Sequence, residues 1–367
     1  MVDLKTQYLK IEDEIDHAIK EVISNSSFIN GPSVKQFTSE LEQYLDIDYV
    51  IPCGNGTDAL QIALMSLDLN PGDEIITSTF SFIATAEVIA LLKLKPVFVD
   101  VDAKNFNLIA SEIEKVITHK TKAIIPVHLF GQCAPMEDIL TIATKNNLYV
   151  IEDTAQALGS SYIFQDGSTQ KAGTIGTIGI TSFFPSKNLG CYGDGGAIFT
   201  KDSLLAEKIK MICNHGSKQK YHHEVIGVNS RLDSIQAAIL SVKLKNLDLY
   251  SSLRNDSAKT YSRILEKLDW IEIPHEESYS KHVYHQYTIK VLNGKRNELQ
   301  DYLASLKISS AVYYPKPLHE QIALKNFKNG NFMNADDLST KVLSLPMHTE
   351  LSKDALTFIT NSIKKFK

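Results

Sequence analysis

The sequence predicts an α/β protein: a mostly parallel sheet covered by helices on both faces, followed by a smaller α+β domain. Three observations carry that prediction. Between Thr57 and about Asp202, short β-rich runs alternate with stretches whose apolar residues recur at helical spacing. The β-rich runs are continuously apolar rather than alternating, as expected of strands buried on both faces. After about Leu244 the character changes to a long charged helix and separate strand-like runs, which divides the chain into a large domain, 1–244, and a small one, 245–367.

Taken in order, residues 4–24 have the period of one amphipathic helix, closed by the turn Asn30-Gly31-Pro32. Strands are expected at 74–78, 96–101, 122–128, 148–153, 177–184 and 197–200, with helices at 58–67, 84–92, 110–117, 136–144 and 203–212. Beyond Leu244 the expectation is a helix over 247–268, strand-like runs at 284–291 and 309–314, and a closing helix near 353–365. In a doubly wound sheet, sites form outside the carboxyl ends of the strands, and Asp153 falls at such an end.

Composition narrows the function classes. With 43% hydrophobic and 22% charged residues the chain is ordinary for a globular protein. A net charge of -5 and no clustered basic stripe argue against nucleic acid as a partner. The longest apolar stretch, 84–101, is interrupted by Glu87, Lys93, Lys95 and Pro96, so no membrane span is expected. The N-terminus carries Asp3, Lys5, Glu12, Asp13 and Glu14 with no apolar targeting core, and the expected location is cytoplasmic. Cys53, Cys133, Cys191 and Cys213 lie far apart and read as reduced thiols. His215, His222 and His223 have no carboxylate or thiol at ligand spacing, and no metal site is expected.

Four groups of residues carry chemistry. Gly54-Asn55-Gly56-Thr57-Asp58 runs straight into a helical pattern, and bare N–H groups at a helix start with a threonine hydroxyl suit a phosphate. The alternative is a simple capped turn; a dinucleotide fingerprint is not expected, because no strand-like run leads cleanly into Gly54. Asp153-Thr154-Ala155-Gln156 ends an apolar run, and a carboxylate facing a pyridine nitrogen keeps it protonated, with Gln156 in reach of the ring's phenolic oxygen. The alternative for Asp153 is a helix cap. Ser182 offers a hydroxyl for a phosphate, and Lys187, beside a dense apolar run, has its charged form disfavoured and becomes a competent amine. Gly190, Gly193, Gly195 and Gly196 then let the chain turn tightly. Phe80 and Phe82 are core aromatics or stacking partners for a flat ring. Lysine and carboxylate, each delivered by a strand end, suit the two ends of one pyridoxal 5'-phosphate ring.

In their order and spacing these motifs resemble the DegT/StrS family of sugar-nucleotide aminotransferases. The likeness spans Phe28 to Pro32, Thr79 to Thr85, His128 to Gly131, Glu152 to Ala157, Ser182 to Lys187, Gly195 to Ala197 and Gly227 to Asp233. The resemblance implies the aspartate aminotransferase (type I) fold and a homodimer whose active site is shared between subunits. It implies that Lys187 binds the cofactor and moves the proton, that Asp153 pairs with the pyridine nitrogen and Gln156 with the ring hydroxyl, and that Phe82 stacks on the ring. Gly56, Thr57 and Ser182 would hold the phosphate, joined by Asn229 of the second subunit. Related sugar dehydratases have His at the lysine position, so Lys187 marks an aminotransferase.

The wording of 58–65, 84–92 and 182–196 is especially near to that of UDP-2-acetamido-3-keto-glucuronate 3-aminotransferases. That likeness favours a 3-keto UDP-sugar as acceptor, L-glutamate as donor, and a place in polysaccharide or lipopolysaccharide O-antigen biosynthesis. Arg231, Tyr313, Tyr314 and His319 are the implied substrate-binding residues. Arg231 suits a carboxylate or phosphate, or else an ion pair with Asp233. Tyr313 stands where the uronate enzymes are expected to carry His. Other readings are a dTDP-linked 3-keto-6-deoxyhexose, a 4-keto sugar or a keto-inositol as acceptor, a non-catalytic cofactor- or sugar-binding regulator, and a lyase using Cys191.

Overall fold

The computed structural model of the chain describes residues 1–366. Its central sheet has seven strands in the order Tyr49–Cys53, Gly196–Thr200, Ile178–Ser182, Tyr149–Asp153, Thr121–Ile125, Glu74–Ser78 and Lys95–Val99. The last five are parallel neighbours. Gly196–Thr200 runs against both of its neighbours, so it alone is reversed. Adjacent residues along each strand feed different cores: Ile151, Ile125 and Ile198 pack with Leu60 and Val88, while Val150 and Ile124 pack with Met136 and Ile139. Phe199 and Val50 join Phe37 and Leu240 in a third cluster. This two-sided burial is why the strands read as unbroken apolar runs, each enclosed aliphatic side chain contributing about 1.5–3 kcal/mol.

All six strands expected between Thr57 and Asp202 are met within a few residues, and the differences elsewhere have local causes. Residues 4–24 form two helices, Leu4–Leu9 and Glu12–Ser24, rather than one. Ile11 leaves the helical region, and Glu12, Asp13 and Glu14 supply three acidic residues to the first turn of a new helix, where the dipole favours them. A strand, Tyr49–Cys53, does lead into Gly54. Pro52 obscures it in the sequence, yet proline is tolerated because this is an edge strand. Pro32–Leu45 is a further helix, with Pro at its first turn and Val34, Phe37, Leu41 and Leu45 on its buried face.

Beyond the Leu247–Leu265 helix, a three-stranded antiparallel sheet orders Ile271–Glu272, Tyr287–Val291 and Val342–Leu345. The run at 309–314 is not a strand; only Ala311 bridges, to Ser344. The strand that pairs with Tyr287–Val291 on that side is Val342–Leu345. Tyr261, Tyr287, Leu299, Leu343 and Ile363 form the core of this part.

Candidate active site

The site forms where the strands Tyr149–Asp153 and Ile178–Ser182 end side by side, with Asp153 paired to Ile180 in parallel register. Ser182 closes the second strand, and the chain then makes a compact loop. Lys187 N–H donates to Phe184 O at 2.8 Å, and Cys191 N–H returns to Phe183 O at 2.8 Å. Lys187 is half-buried on this loop. Burial lowers its ammonium to about 8, against the opposing pull of the Asp153 charge. Asp153 is 5% exposed. Burial raises its carboxyl, opposed by the Ala155 N–H, the Thr85 hydroxyl and the charge of Lys187. Amine and carboxylate are both desolvated, and the charge of each favours the charged form of the other.

Asp153 does not cap a helix. One oxygen accepts Ala155 N–H at 3.1 Å in a turn, and the other accepts the Thr85 hydroxyl at 2.9 Å. Gln156 is oriented by Phe130, whose N–H donates to Oε1 at 2.9 Å, so its Nε2 faces Tyr314 Oη at 3.0 Å. Burial and the Asp153 charge both push the Tyr314 phenol upward, with the Gln156 hydrogen bond opposing them. Phe80 is core and meets Tyr314 edge-on, whereas Phe82 is 56% exposed with its ring 6.5 Å from that of Tyr314.

At the helix start, Asn55 caps Gly56–Met65 by accepting Asp58 N–H at 2.8 Å. Gly56 lies against the strand end: a Cβ there would stand 2.7 Å from Ser182 Cβ. A Cβ on Gly196 would stand 2.5 Å from the Asn55 carbonyl carbon. This glycine-lined turn brings first-turn N–H groups beside the Ser182 and Thr57 hydroxyls, a cradle suited to an anion. A cation at one rim, a carboxylate at the other and an N–H-rich turn between them fit a planar ring with an anionic tail.

The remaining predicted residues fall around this centre. Ser230 Oγ donates to Asp58 Oδ2 at 2.6 Å and accepts Gly54 N–H at 2.9 Å, tying the 227–233 segment to the turn. Asn229 is exposed, and its backbone bridges to Asn214. Arg231 is half-buried and makes no ion pair or side-chain hydrogen bond among the described residues, so the alternative pairing with Asp233 is not formed. Tyr313 is half-buried edge-on to Tyr314. His319 is enclosed at 1% exposure, its Nδ1 2.6 Å from Thr79 Oγ1 and its Nε2 3.1 Å from Asp336. The sequence reading put His319 among substrate-touching groups; the fold gives it a buried tie between two segments. Thr85 joins the site without having been singled out by any motif role; its signal is a hydroxyl in the first turn of an apolar helix, after a strand that stands two places from the Asp153 strand in the sheet.

Residues 9–364 match the model of the DegT/DnrJ/EryC1/StrS aminotransferase family. A protein of Geobacillus stearothermophilus described as a pleiotropic regulatory protein is 46% identical, covering 100% of this chain and 98% of the relative. The UDP-2-acetamido-2-deoxy-3-oxo-D-glucuronate aminotransferase of Pseudomonas aeruginosa is 44% identical over 98% of this chain and 97% of its own. A UDP-N-acetyl-3-dehydro-alpha-D-glucosamine 3-aminotransferase of Acidithiobacillus ferrooxidans is 41% identical over 100% and 97%. A dTDP-3-amino-3,4,6-trideoxy-alpha-D-glucose transaminase of Streptomyces venezuelae stands at 34%, over 100% and 95%. Among solved structures, a DegT DnrJ EryC1 StrS aminotransferase from Brucella abortus superposes with a TM-score of 0.94 at 39% identity, covering 99% and 98%. NtdA of Bacillus subtilis, with bound cofactor PMP, superposes at 0.89 and 31%, covering 97% of this chain and 81% of its own.

Proposed function

This chain belongs to the DegT/DnrJ/EryC1/StrS aminotransferase family, and from that premise we propose that it moves an amino group from L-glutamate to the 3-keto group of a UDP-linked 2-acetamido hexose or hexuluronic acid. It is a transaminase, and its cofactor is pyridoxal phosphate. The observation that carries the proposal is a desolvated lysine, on the loop after one strand, within electrostatic reach of a buried carboxylate at the end of the neighbouring strand and close to a glycine-lined turn. When bound, the cofactor supplies an electron sink for charge developing at the donor carbon.

The chain's own residues do the rest. Lys187, its ammonium lowered to about 8 by burial, would anchor the cofactor, take the proton from the α-carbon of the donor and, in the second half-reaction, deliver one to the former keto carbon of the acceptor. Asp153, held by Thr85 and Ala155, keeps the ring nitrogen protonated. Gly56, Thr57 and Ser182 hold the phosphate, and Phe82 covers the ring. Gln156, whose side-chain amide contacts Tyr314, would hydrogen-bond the ring hydroxyl. Arg231, without an ion-pair partner among the described residues, is available to an anionic part of the substrate, and Tyr313 and Tyr314 would supply further substrate contacts.

Phe28, Ile29, Phe82 and Phe184 are each about half exposed, which supports a homodimer in which a second copy covers the pocket mouth and brings its own Asn229. We place the enzyme in the cytoplasm and in polysaccharide or O-antigen biosynthesis, and take 1–244 and 245–367 as its two domains. The relatives at 44% and 41% support a UDP-linked acceptor over the dTDP-linked one, whose enzyme stands at 34%.

The purified protein is expected to be yellow and to bleach on adding glutamate. A single-turnover panel of UDP- and dTDP-linked keto sugars should then restore the colour fastest with a 3-keto UDP-sugar. No colour change with glutamate would sink the proposal, and light scattering checks the dimer. The 46% relative named as regulatory supports a second reading, a sensor on the same fold. Cofactor binding without amino transfer would favour it.

A further inference from the structure

Lys243 is the second lysine the fold desolvates, and the activity described above does not use it. It sits in the Ser234–Leu244 helix, which is enclosed along nearly its whole length, and it is itself 2% exposed. Its Nζ donates to Gly190 O at 2.7 Å and lies 4.3 Å from the centre of the Tyr192 ring. No carboxylate lies within ion-pair distance of it among the described residues. Burying an ammonium without a counter-ion is costly, and a methionine of similar volume would avoid the cost. What the charge secures is the loop that begins at Lys187.

That loop is gripped from the helix by two side chains on one face. Gln236, two turns before Lys243, accepts Tyr192 N–H at 2.8 Å and donates to Tyr192 O at 3.5 Å. Gly190 has no room for a side chain, because a Cβ there would run into Pro185 O and Phe184 O. Gly190 therefore packs directly against the backbone that leads into Lys187, and the next residue, Cys191, ties back to Phe183 O at 2.8 Å. From the opposite side Asn188 donates to Val283 O at 3.3 Å and lies 3.1 Å from His285 Nδ1. Lys187 projects from a segment clamped between these contacts.

We propose that Lys243 is a positioning residue for Lys187: its ammonium, anchored on the Gly190 carbonyl beneath the Tyr192 ring, fixes the loop from which the reacting amine projects. The inference rests on the reading of Lys187 as the cofactor-binding lysine. It assigns Lys243 no contact with substrate or cofactor.

The test compares Lys243→Met, which keeps volume and removes charge, with Lys243→Arg, which keeps charge. In cofactor-free protein, the pH midpoint of Lys187 acetylation, followed by peptide mass spectrometry, should rise by about half a unit or more in Lys243→Met as the loosened amine regains water. In the holoenzyme kcat should fall about tenfold with KM within about twofold, because a misplaced group loses rate rather than binding. Arg should recover most of both. A folded Lys243→Met with unmoved midpoint and unchanged kcat overturns the proposal. Should Lys243→Met fail to fold, Gln236→Leu loosens the same loop, and an unmoved midpoint there overturns it equally. Wild-type protein that binds no cofactor would fault the functional reading instead, since the acetylation midpoint is read without cofactor.

Discussion

Glu152 and Asp153 are neighbours on one strand, yet alternation sends their carboxylates to opposite faces of the sheet, and the two faces treat them differently. Glu152 is fully enclosed and accepts four donors: the N–H groups of Gly173, Ile175 and Gly176, and the His128 ring. Because Ala134 N–H donates to His128 Nδ1 at 2.9 Å, the ring proton lies on Nε2 and points to Glu152. A carboxylate has about four acceptor sites, so Glu152 is saturated. Asp153 accepts only Thr85 and Ala155 and faces the space it shares with Lys187. Burial of a charge is common to both residues. Spare hydrogen-bonding capacity on the side of Lys187 belongs to one.

The contrast can be broken by experiment. The largest effect is expected from Lys187→Ala, which should lower turnover by about 10⁴-fold or more while the protein stays folded, since nucleophile and proton carrier are lost together. Single-turnover reaction with glutamate measures it, and a fully active variant would end the assignment of this face as reactive. Asp153→Asn should lower kcat by about 10³-fold at nearly unchanged melting temperature, because only preorganised charge is removed. Glu152→Gln should do the reverse, costing about 3 kcal/mol in urea unfolding while kcat per folded molecule stays within about threefold. A stable but inactive Glu152→Gln would erase the distinction between the faces.

Smaller effects sharpen it. Only the neutral amine attacks an aldehyde, so cofactor capture by the cofactor-free protein should rise with pH and level off above a midpoint near 8, the value to which burial lowers Lys187. Asp153 supplies the charge that opposes that lowering, so Asp153→Asn should move the midpoint down while Glu152→Gln leaves it in place. Stopped-flow absorbance at a series of pH values reads both. Thr85→Val removes one of the two donors to Asp153 and should cost about fivefold in kcat, in line with about 1 kcal/mol for one buried hydrogen bond.

Much of this was legible without coordinates. The central strands announced themselves because most residues of a doubly covered strand are apolar on both faces, and the helices between them kept a regular period. The Tyr49–Cys53 strand escaped because Pro52 reads as a breaker until its edge position is known. The break at Ile11 escaped because the apolar period runs through it, and only the acidic first turn of the next helix betrays it. His319 was legible as part of a motif but not as a buried tie, since its partner Asp336 belongs to a helix that the sequence reading did not identify.

Local sequence alone determined that a carboxylate would stand at one strand end and a lysine on the loop just past another, with a glycine turn nearby, because backbone period and turn chemistry act over a few residues. Tertiary structure decided the rest. Gln156 meets Tyr314 across 158 positions, Lys243 meets Gly190 across 53, and Thr85 meets Asp153 across 68. Such pairs depend on how the closed chain shares out its buried donors and acceptors, a constraint that exists only once water has been excluded.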